Sequence, residues 1–315
     1  MESEKIFVVS LHRTMTRSTD ILLSMLGYST MHFPKFFNGR NLMEEVDGVE
    51  GEPEAVIRVL DEVIRSRDAF SDVPFPGLYR QLASWWPNSR FILVYRDPNE
   101  WAQSVHGHIR KRRLSPYNRI QYNPYIADSV NYLKDLSRDE LCRVHEKHTE
   151  SVISYFYEEL GEPERLCAVD ARKGKVGETI SEFLGYPPQS LPRFSGRPSS
   201  EDLKVCREWI KKAPWKADAY YHLAKNLRHK KDLEEAKKCL SLAVEIEPDQ
   251  PKFYAALAKV CRERGERRES AEYGEVAISK GLRKPYLFRE ATVDFFWSGS
   301  WGKSASMLLR NLRGR

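Results

Sequence analysis

Residues 90–104 read Arg90-Phe91-Ile92-Leu93-Val94-Tyr95-Arg96-Asp97-Pro98-Asn99-Glu100-Trp101-Ala102-Gln103-Ser104. The apolar run Phe91–Tyr95 has the length and continuity of a strand buried on both faces of a parallel sheet. It delivers Arg96 at its carboxyl end. Asp97 then offers an N-cap and Pro98 a first helical residue, so a helix is expected to begin there. Ser104 follows roughly one and a half to two turns later. An arginine and a hydroxyl on the rim of a parallel sheet are well placed to grip a phosphate.

Working outward, the amino terminus repeats the plan. Lys5-Ile6-Phe7-Val8-Val9-Ser10 is a short apolar strand, followed by Leu11-His12-Arg13-Thr14-Met15-Thr16-Arg17-Ser18-Thr19. Asp20 to Leu26 carries apolar residues at helical spacing, and Gly27 ends the helix. A strand, a hydroxyl-rich turn and a helix start make an anion cradle, because backbone N–H groups and the helix dipole favour negative charge there. A Gly-x4-Gly-Lys-[Ser/Thr] loop is absent. Further on, Ala69-Phe70-Ser71-Asp72-Val73-Pro74-Phe75-Pro76 reads as a strand, a proline-marked turn and a helix start. Asp72 there is either a helix N-cap or a carboxylate base. Residues 165–169 read as another strand ending at Asp170, with Arg172-Lys173-Gly174 and a helix from Val176 to Leu184 behind it.

Taken together, these stretches resemble the sulfotransferase family, over roughly residues 5–195. The family uses 3′-phosphoadenosine 5′-phosphosulfate (PAPS) and has a P-loop-like α/β fold. The resemblance implies that Arg96 and Ser104 hold the 3′-phosphate, with Arg172, Lys173 and Gly174 beside them. It implies that His12, Arg13, Thr14, Met15, Thr16, Arg17 and Ser18 form the 5′-phosphosulfate loop. On that match Arg13 faces the bridging oxygen, and Thr14 and Thr16 donate hydroxyls. His12 replaces the usual proline, Met15 stands where glycine is usual, and Arg17 where threonine or serine is usual. A side chain at Met15 needs a conformation open to it or a slightly different cradle. Ser71-Asp72 stands where many members carry Thr-His, so the resemblance implies Asp72 as the base. The competitors are His12, His32, His106 and His108. His106 and His108 lie on the helix that carries Ser104, about 200° apart, so at most one of them faces the site. The resemblance implies no metal, and the His-x-His pair lacks a third obvious ligand.

Composition bounds the rest. With 30% charged and 41% hydrophobic residues in 315, the chain is globular and long enough for two domains. No apolar run approaches the ~18 residues of a membrane span. With a first strand expected to start at Lys5, no signal peptide is expected ahead of it. Cys142, Cys167, Cys206, Cys239 and Cys261 are scattered and read as reduced core residues, so a cytoplasmic location is expected. From residue 201 onward there are 25 Lys and Arg against 17 Asp and Glu. Most of this excess reads as a solvated helix face. The run Arg110-Lys111-Arg112-Arg113 reads as a helix C-terminal charge or as a rim attracting an anionic ligand. The segment with Tyr117, Tyr122, Tyr125 and Tyr132 reads as an acceptor wall or as an ordinary lid.

The tail is a repeat. Residues 217–250 and 251–284 are each 34 long and align, with Tyr220 and Tyr254, Leu223 and Leu257, Ala224 and Ala258, and Ala243 and Ala277 in register. This is the tetratricopeptide (TPR) pattern of paired helices. Residues 201–213 read as the last helix of a degenerate preceding unit. Residues 285–312 read as an eroded third copy, with Phe288, Phe295 and Leu308 near core positions and Trp297 and Trp301 in a capping contact.

The expected architecture is a P-loop-like α/β domain over 1–198, with phosphate sites after its first and third recognisable strands, then an all-α TPR domain over 199–315. The expected function is sulfuryl transfer from PAPS to a hydroxyl of a small-molecule or glycan acceptor. Asp72, Arg13 and His106 are the catalytic candidates. A protein partner or self-association through the repeats is expected, and no nucleic acid or membrane span. The alternatives are a kinase-like phosphotransferase, or a TPR scaffold with a decayed nucleotide site.

Overall fold

The structure is a computed structural model that describes residues 4–109, 113–282 and 284–313. The readings placed on Arg110, Lys111 and Arg112, and on the side chains of His108 and Leu308, lie outside the described residues. Two compact units are formed, one by residues 1–35 with 42–192 and one by residues 36–41 with 193–315.

Seven strands follow along the chain: β1 Ile6–Val8, β2 Thr30–His32, β3 Phe36–Phe37, β4 Arg40–Asn41, β5 Ala69–Ser71, β6 Arg90–Tyr95 and β7 Leu166–Asp170. Five of them form the parallel sheet of the first unit, in the order β2–β5–β1–β6–β7. The chain fills one side of β1 with β5 and β2, then crosses to the other side for β6 and β7. The order thus reverses between β1 and β6, and a crevice at the carboxyl ends of those two strands is where such sheets bind ligands. Ser10 sits at that edge. The Val94 N–H donates to its Oγ at 2.7 Å, so a side chain replaces a backbone carbonyl where the ladder ends.

Strand alternation sorts the core onto two faces. Ile6, Val8, Ile92, Val94 and Val169 pack with Leu22, Leu23 and Ile180. On the other face, Phe7 lies 5.5 Å from the Phe70 ring and 5.6 Å from Phe91, which meets Phe156 at 4.7 Å. The helices of this unit are α1 Thr16–Met25, α2 Leu42–Glu45, α3 Pro53–Ser66, α4 Tyr79–Trp85, α5 Pro98–Ile109, α6 Pro116–Tyr122, α7 Arg138–Ser154 and α8 Val176–Phe183. The expected cap of α5 is present: the Glu100 N–H donates to Asp97 Oδ1 at 3.0 Å. Capping boxes open α6 (Ser115 with Asn118) and α7 (Ser137 with Glu140). Gly77 lets α6 approach closely, since a Cβ there would lie 2.2 Å from the Ile120 carbonyl oxygen. Strand β2 and the β3–β4 hairpin were not expected from the sequence.

The second unit holds the hairpin and α9 Ser200–Lys212, α10 Ala217–His229, α11 Leu233–Ile246, α12 Pro251–Glu263, α13 Arg267–Ser279, α14 Pro285–Trp297 and α15 Trp301–Arg313. The pairs α10/α11 and α12/α13 coincide with the two 34-residue copies. Buried Ala224, Ala236, Ala243, Ala258, Ala271 and Ala277 let the helices close up. The departures in the second copy have uses. Ser270 Oγ lies 2.8 Å from the Ala258 carbonyl and 2.6 Å from Asp294, so its one proton can serve either, and Asp294 also accepts from Arg262 and Arg267. Gly274 faces Ala291, where a Cβ would be 3.3 Å away. Phe295 is buried as expected, but Trp297 and Trp301 are 71% and 67% exposed and do not cap the array with buried contacts. Their rings instead meet Phe296, at 5.7 and 5.2 Å. A cleft of about 190 Å³ in this unit is lined by Lys225, Arg228, Lys252, Lys259, Tyr221 and Tyr286, among others. Cys261, Glu266 and Glu269 lie close enough together to hold a metal ion, but Lys237 Nζ already sits 2.9 and 2.7 Å from the two carboxylates. Among the described residues all five cysteines are free, four of them buried, and no helix is long and apolar enough to cross a membrane.

Candidate active site

The two loops after β1 and β6 meet. Arg13 Nε donates to Ser104 Oγ at 3.0 Å, and Trp101 Nε1 donates to the His12 carbonyl at 2.8 Å. Helix α5 thus fastens the loop before α1 at two successive residues. Within that loop Arg13 and Met15 both have left-handed φ, 69° and 62°, on either side of Thr14. Such alternation of backbone hand is the geometry of an anion-binding nest. Met15 takes the conformation that glycine adopts without strain, at a cost of about 1–2 kcal/mol, and leaves its side chain 44% exposed. Thr14 is buried and donates to the Leu11 carbonyl. Thr16 opens α1, with Arg17 and Ser18 in its first turn.

The cations after β6 and β7 are held by carboxylates. Arg96 pairs with Glu100 at 2.5 Å. Arg172 grips Asp170 through bonds of 2.9 and 2.6 Å and reaches Asp97 at 3.9 Å. The Arg172 hydrogen bonds hold the Asp170 carboxyl below its usual range. Lys173 is exposed, and Gly174 has φ 68°. Tyr95 and Asp170 are partners in the β6–β7 register, so the turns after those strands start side by side.

Asp72 follows β5 directly and has φ 72°. His32 and Ser71 are opposite one another in the β2–β5 register. In a regular strand Asp72 would point to the other face. The left-handed residue turns its carboxylate back, so that Oδ2 meets His32 Nε2 at 3.2 Å while Oδ1 accepts the Val73 N–H at 2.9 Å. His32 Nδ1 lies 2.8 Å from Ser71 Oγ. Burial by itself would raise the Asp72 pKa. The hydrogen bond from His32, with the Val73 N–H adding to it, outweighs burial and holds the carboxyl well below the usual carboxylate range.

The imidazole of His12 is buried against α6. Gln121 Nε2 lies 3.1 Å from His12 Nδ1, and the Tyr122 hydroxyl lies 3.1 Å from the ring nitrogens. Gln121 Oε1 has no partner among the described residues. His106 is bonded elsewhere: its Nε2 is 3.2 Å from the Leu136 carbonyl, and among the described residues it has no hydrogen bond to Arg13, Asp72 or Ser104. The structure thus joins Arg13 to Ser104 and Asp72 to His32. Gln121 and Trp101 were not singled out from the sequence, and Tyr122 was read only as part of an acceptor wall or lid, because their value lies in side-chain partners far away in the chain.

A turn with left-handed residues at a switch point of a parallel sheet, with arginines and a hydroxyl around it, is the kind of place where α/β folds hold anionic esters. A family model described as a sulfotransferase domain matches residues 5–196, and one described as a tetratricopeptide repeat matches residues 203–260. The chain belongs to the sulfotransferase domain family, with a TPR region behind that domain. No curated protein matches it. Among solved structures, one of MamA is 16% identical, covering 53% of this chain and 89% of that one with a TM-score of 0.34. Another, described as MamA AMB-1, is 10% identical, covering 54% and 80% with a TM-score of 0.34.

Proposed function

We propose that this protein is a PAPS-dependent sulfotransferase making a sulfate ester on a hydroxyl of a small-molecule or glycan acceptor. The observation that carries the reading is the Arg13–Ser104 hydrogen bond, which brings a residue of each expected phosphate-gripping loop to one point. The cationic and hydroxyl groups of Arg13, Arg96, Arg172, Ser104 and Thr16 fit a donor with two phosphates and a sulfate. That donor supplies an activated sulfuryl group.

In this reading Arg96, Ser104 and the Arg172-Lys173-Gly174 turn hold the 3′-phosphate. Arg96 and Arg172 exchange some of their bonds to Glu100 and Asp170 for it. The loop from His12 to Ser18 holds the 5′ end, with Arg13 facing the charge that develops on the bridging oxygen. Asp72, ionised at neutral pH, accepts the acceptor's hydroxyl proton as the new S–O bond forms, and the electron pair of the broken S–O bond leaves with the bisphosphate. The TPR region suits a protein partner, and the lysine- and arginine-lined cleft gives it a place for an acidic one. Buried, unpaired cysteines fit a reducing, cytoplasmic setting.

Thermal-shift titration of the full chain tests the donor. Adenosine 3′,5′-bisphosphate at 100 times its Kd should stabilise the fold by about 2.7 kcal/mol. Stabilisation by ATP with magnesium alone would favour a phosphotransferase. No shift with either would leave a scaffold. Labelled PAPS with a panel of hydroxylated acceptors then tests transfer.

A further inference from the structure

We propose that His32 is a positioning residue for proton transfer, one that aims the Asp72 carboxylate at the acceptor hydroxyl while Ser71 fixes its imidazole tautomer. This rests on the sulfotransferase reading above and adds to it a residue outside both expected phosphate loops.

The arrangement begins in the sheet. His32 ends β2 and Ser71 ends β5, and the two are partners in register. Both are nearly fully buried, at 9% and 1% exposure. Parallel partners project to the same face, so Ser71 Oγ reaches His32 Nδ1 at 2.8 Å without distortion. Asp72 joins them only through its left-handed backbone, φ 72°. Aspartate tolerates that conformation better than most residues, but it remains a strained one. Strain of this kind persists where surrounding contacts fix it. Here the contacts are a Val73 N–H on one carboxylate oxygen and the His32 imidazole on the other.

Hydrogen-bond accounting assigns the roles. An ionised carboxylate only accepts, so Nε2 of His32 carries the proton in the 3.2 Å contact with Oδ2. With the ring neutral, as the proposed role requires, Nδ1 accepts from the buried Ser71 hydroxyl 2.8 Å away. With both ring nitrogens engaged, His32 has no lone pair left for an acceptor hydroxyl, which removes it as the base. Among the described residues each Asp72 oxygen has one partner, which leaves a lone pair on each, so the carboxylate keeps capacity for an incoming hydroxyl. A bond to the far oxygen that fixes the carboxylate's plane is the usual means of aiming such a base. When the acceptor O–H breaks, its proton passes to Asp72. His32 keeps its own Nε2 proton throughout.

The test is a double-mutant cycle with one spectroscopic arm. His32→Ala should lower kcat by about 10- to 100-fold, with the KM for PAPS and the affinity for adenosine 3′,5′-bisphosphate unchanged. His32→Gln, which can still offer an N–H to Asp72, should recover most of that loss. In an Asp72→Asn background, His32→Ala should cost no more than about twofold further, because its effect runs through Asp72. In nitrogen-15 spectra of histidine-labelled protein, the resonance missing from His32→Gln should belong to an Nε2-protonated ring and move in Asp72→Asn. Full, additive losses in the double variant, a dead His32→Gln, or an Nδ1-protonated ring would each overturn the proposal. A parent that turns over PAPS while His32→Ala is unaffected sinks this proposal alone. A parent inert toward PAPS and every acceptor sinks the transferase reading and this with it.

Discussion

Arg13 is tied to Ser104 by a neutral-acceptor hydrogen bond, the one bond of its side chain among the described residues, so each group remains able to turn to an anion. If Arg13 faces the bridging oxygen, its charge matters more in the transition state than in the bound product. Arg13→Ala should therefore reduce turnover by about 10²–10³ while weakening adenosine 3′,5′-bisphosphate binding far less, as measured by steady-state kinetics beside calorimetry. Equal losses in both would make Arg13 a simple binding residue. Met15 shows where residue-by-residue reading reached its limit. Its replacement of glycine was visible in the sequence, but not that the backbone would take the left-handed conformation regardless and send the side chain outward. The same holds for Asp72. Its candidacy was legible from its place after a strand and before a proline, but its partner His32 lies 40 residues earlier in a strand three residues long, too short to show an alternation.

At the scale of elements, the long apolar run of β6 and the Asp97–Pro98 start of α5 were plain in the sequence, because a buried parallel strand and a capped helix each leave a local signature. What α6 does was not. Its tyrosines read equally as lid or acceptor wall. In the fold it carries Gln121 and Tyr122 to His12, and the approach depends on Gly77. Gly77→Ala would set a Cβ against the Ile120 carbonyl, which is backbone and cannot swing away. The expected cost is about 1–3 kcal/mol or more, read as a lower urea midpoint together with weaker bisphosphate binding. A lost midpoint with unchanged binding would separate α6 from the site. Helix α7 carries a pH dependence of its own. His148 is fully enclosed, its Nε2 donating to the Val9 carbonyl at 2.8 Å, and burial lowers its pKa to about 4. Burial, with the charges of His148 and Arg96, lowers His145 likewise to about 4. Both pKa values fall below the unfolded value, so the unfolded chain binds more protons in that range. Stability is complete above about pH 6.5 and is lost as pH falls toward 4. The loss is of the order of 3 kcal/mol per histidine at the limit. Urea midpoints at pH 7 and pH 5 measure the slope, and His148→Gln should flatten it; an equal slope in that variant would place the titration elsewhere.

For the molecule as a whole, the repeat was legible because a period of 34 residues survives substitution at single positions. The hairpin of β3 and β4 was not, because two-residue strands carry no pattern. Yet residues 36–41 belong to the unit formed mainly by residues 193–315. Gln250 Nε2 donates to the Phe36 carbonyl at 2.8 Å, and Gly281 leaves room for the Phe36 ring, which a Cβ would approach to 3.2 Å. Between residues 187 and 200 the chain is largely exposed, with glycine and prolines, and is the natural place for a protease to cut. A nick there should yield two fragments that co-elute on gel filtration in native buffer and part only in denaturant. Fragments that separate without denaturant would mean that the hairpin adds no hold. The same feature sets an order on the ribosome. Residues 36–41 leave the exit tunnel some two hundred residues ahead of Gln250 and Gly281, the groups they bond and pack against. At the elongation rate of ~5–20 residues per second, the hairpin waits about ten to forty seconds for its partners, and the loop that bears it cannot settle until the repeats have been made.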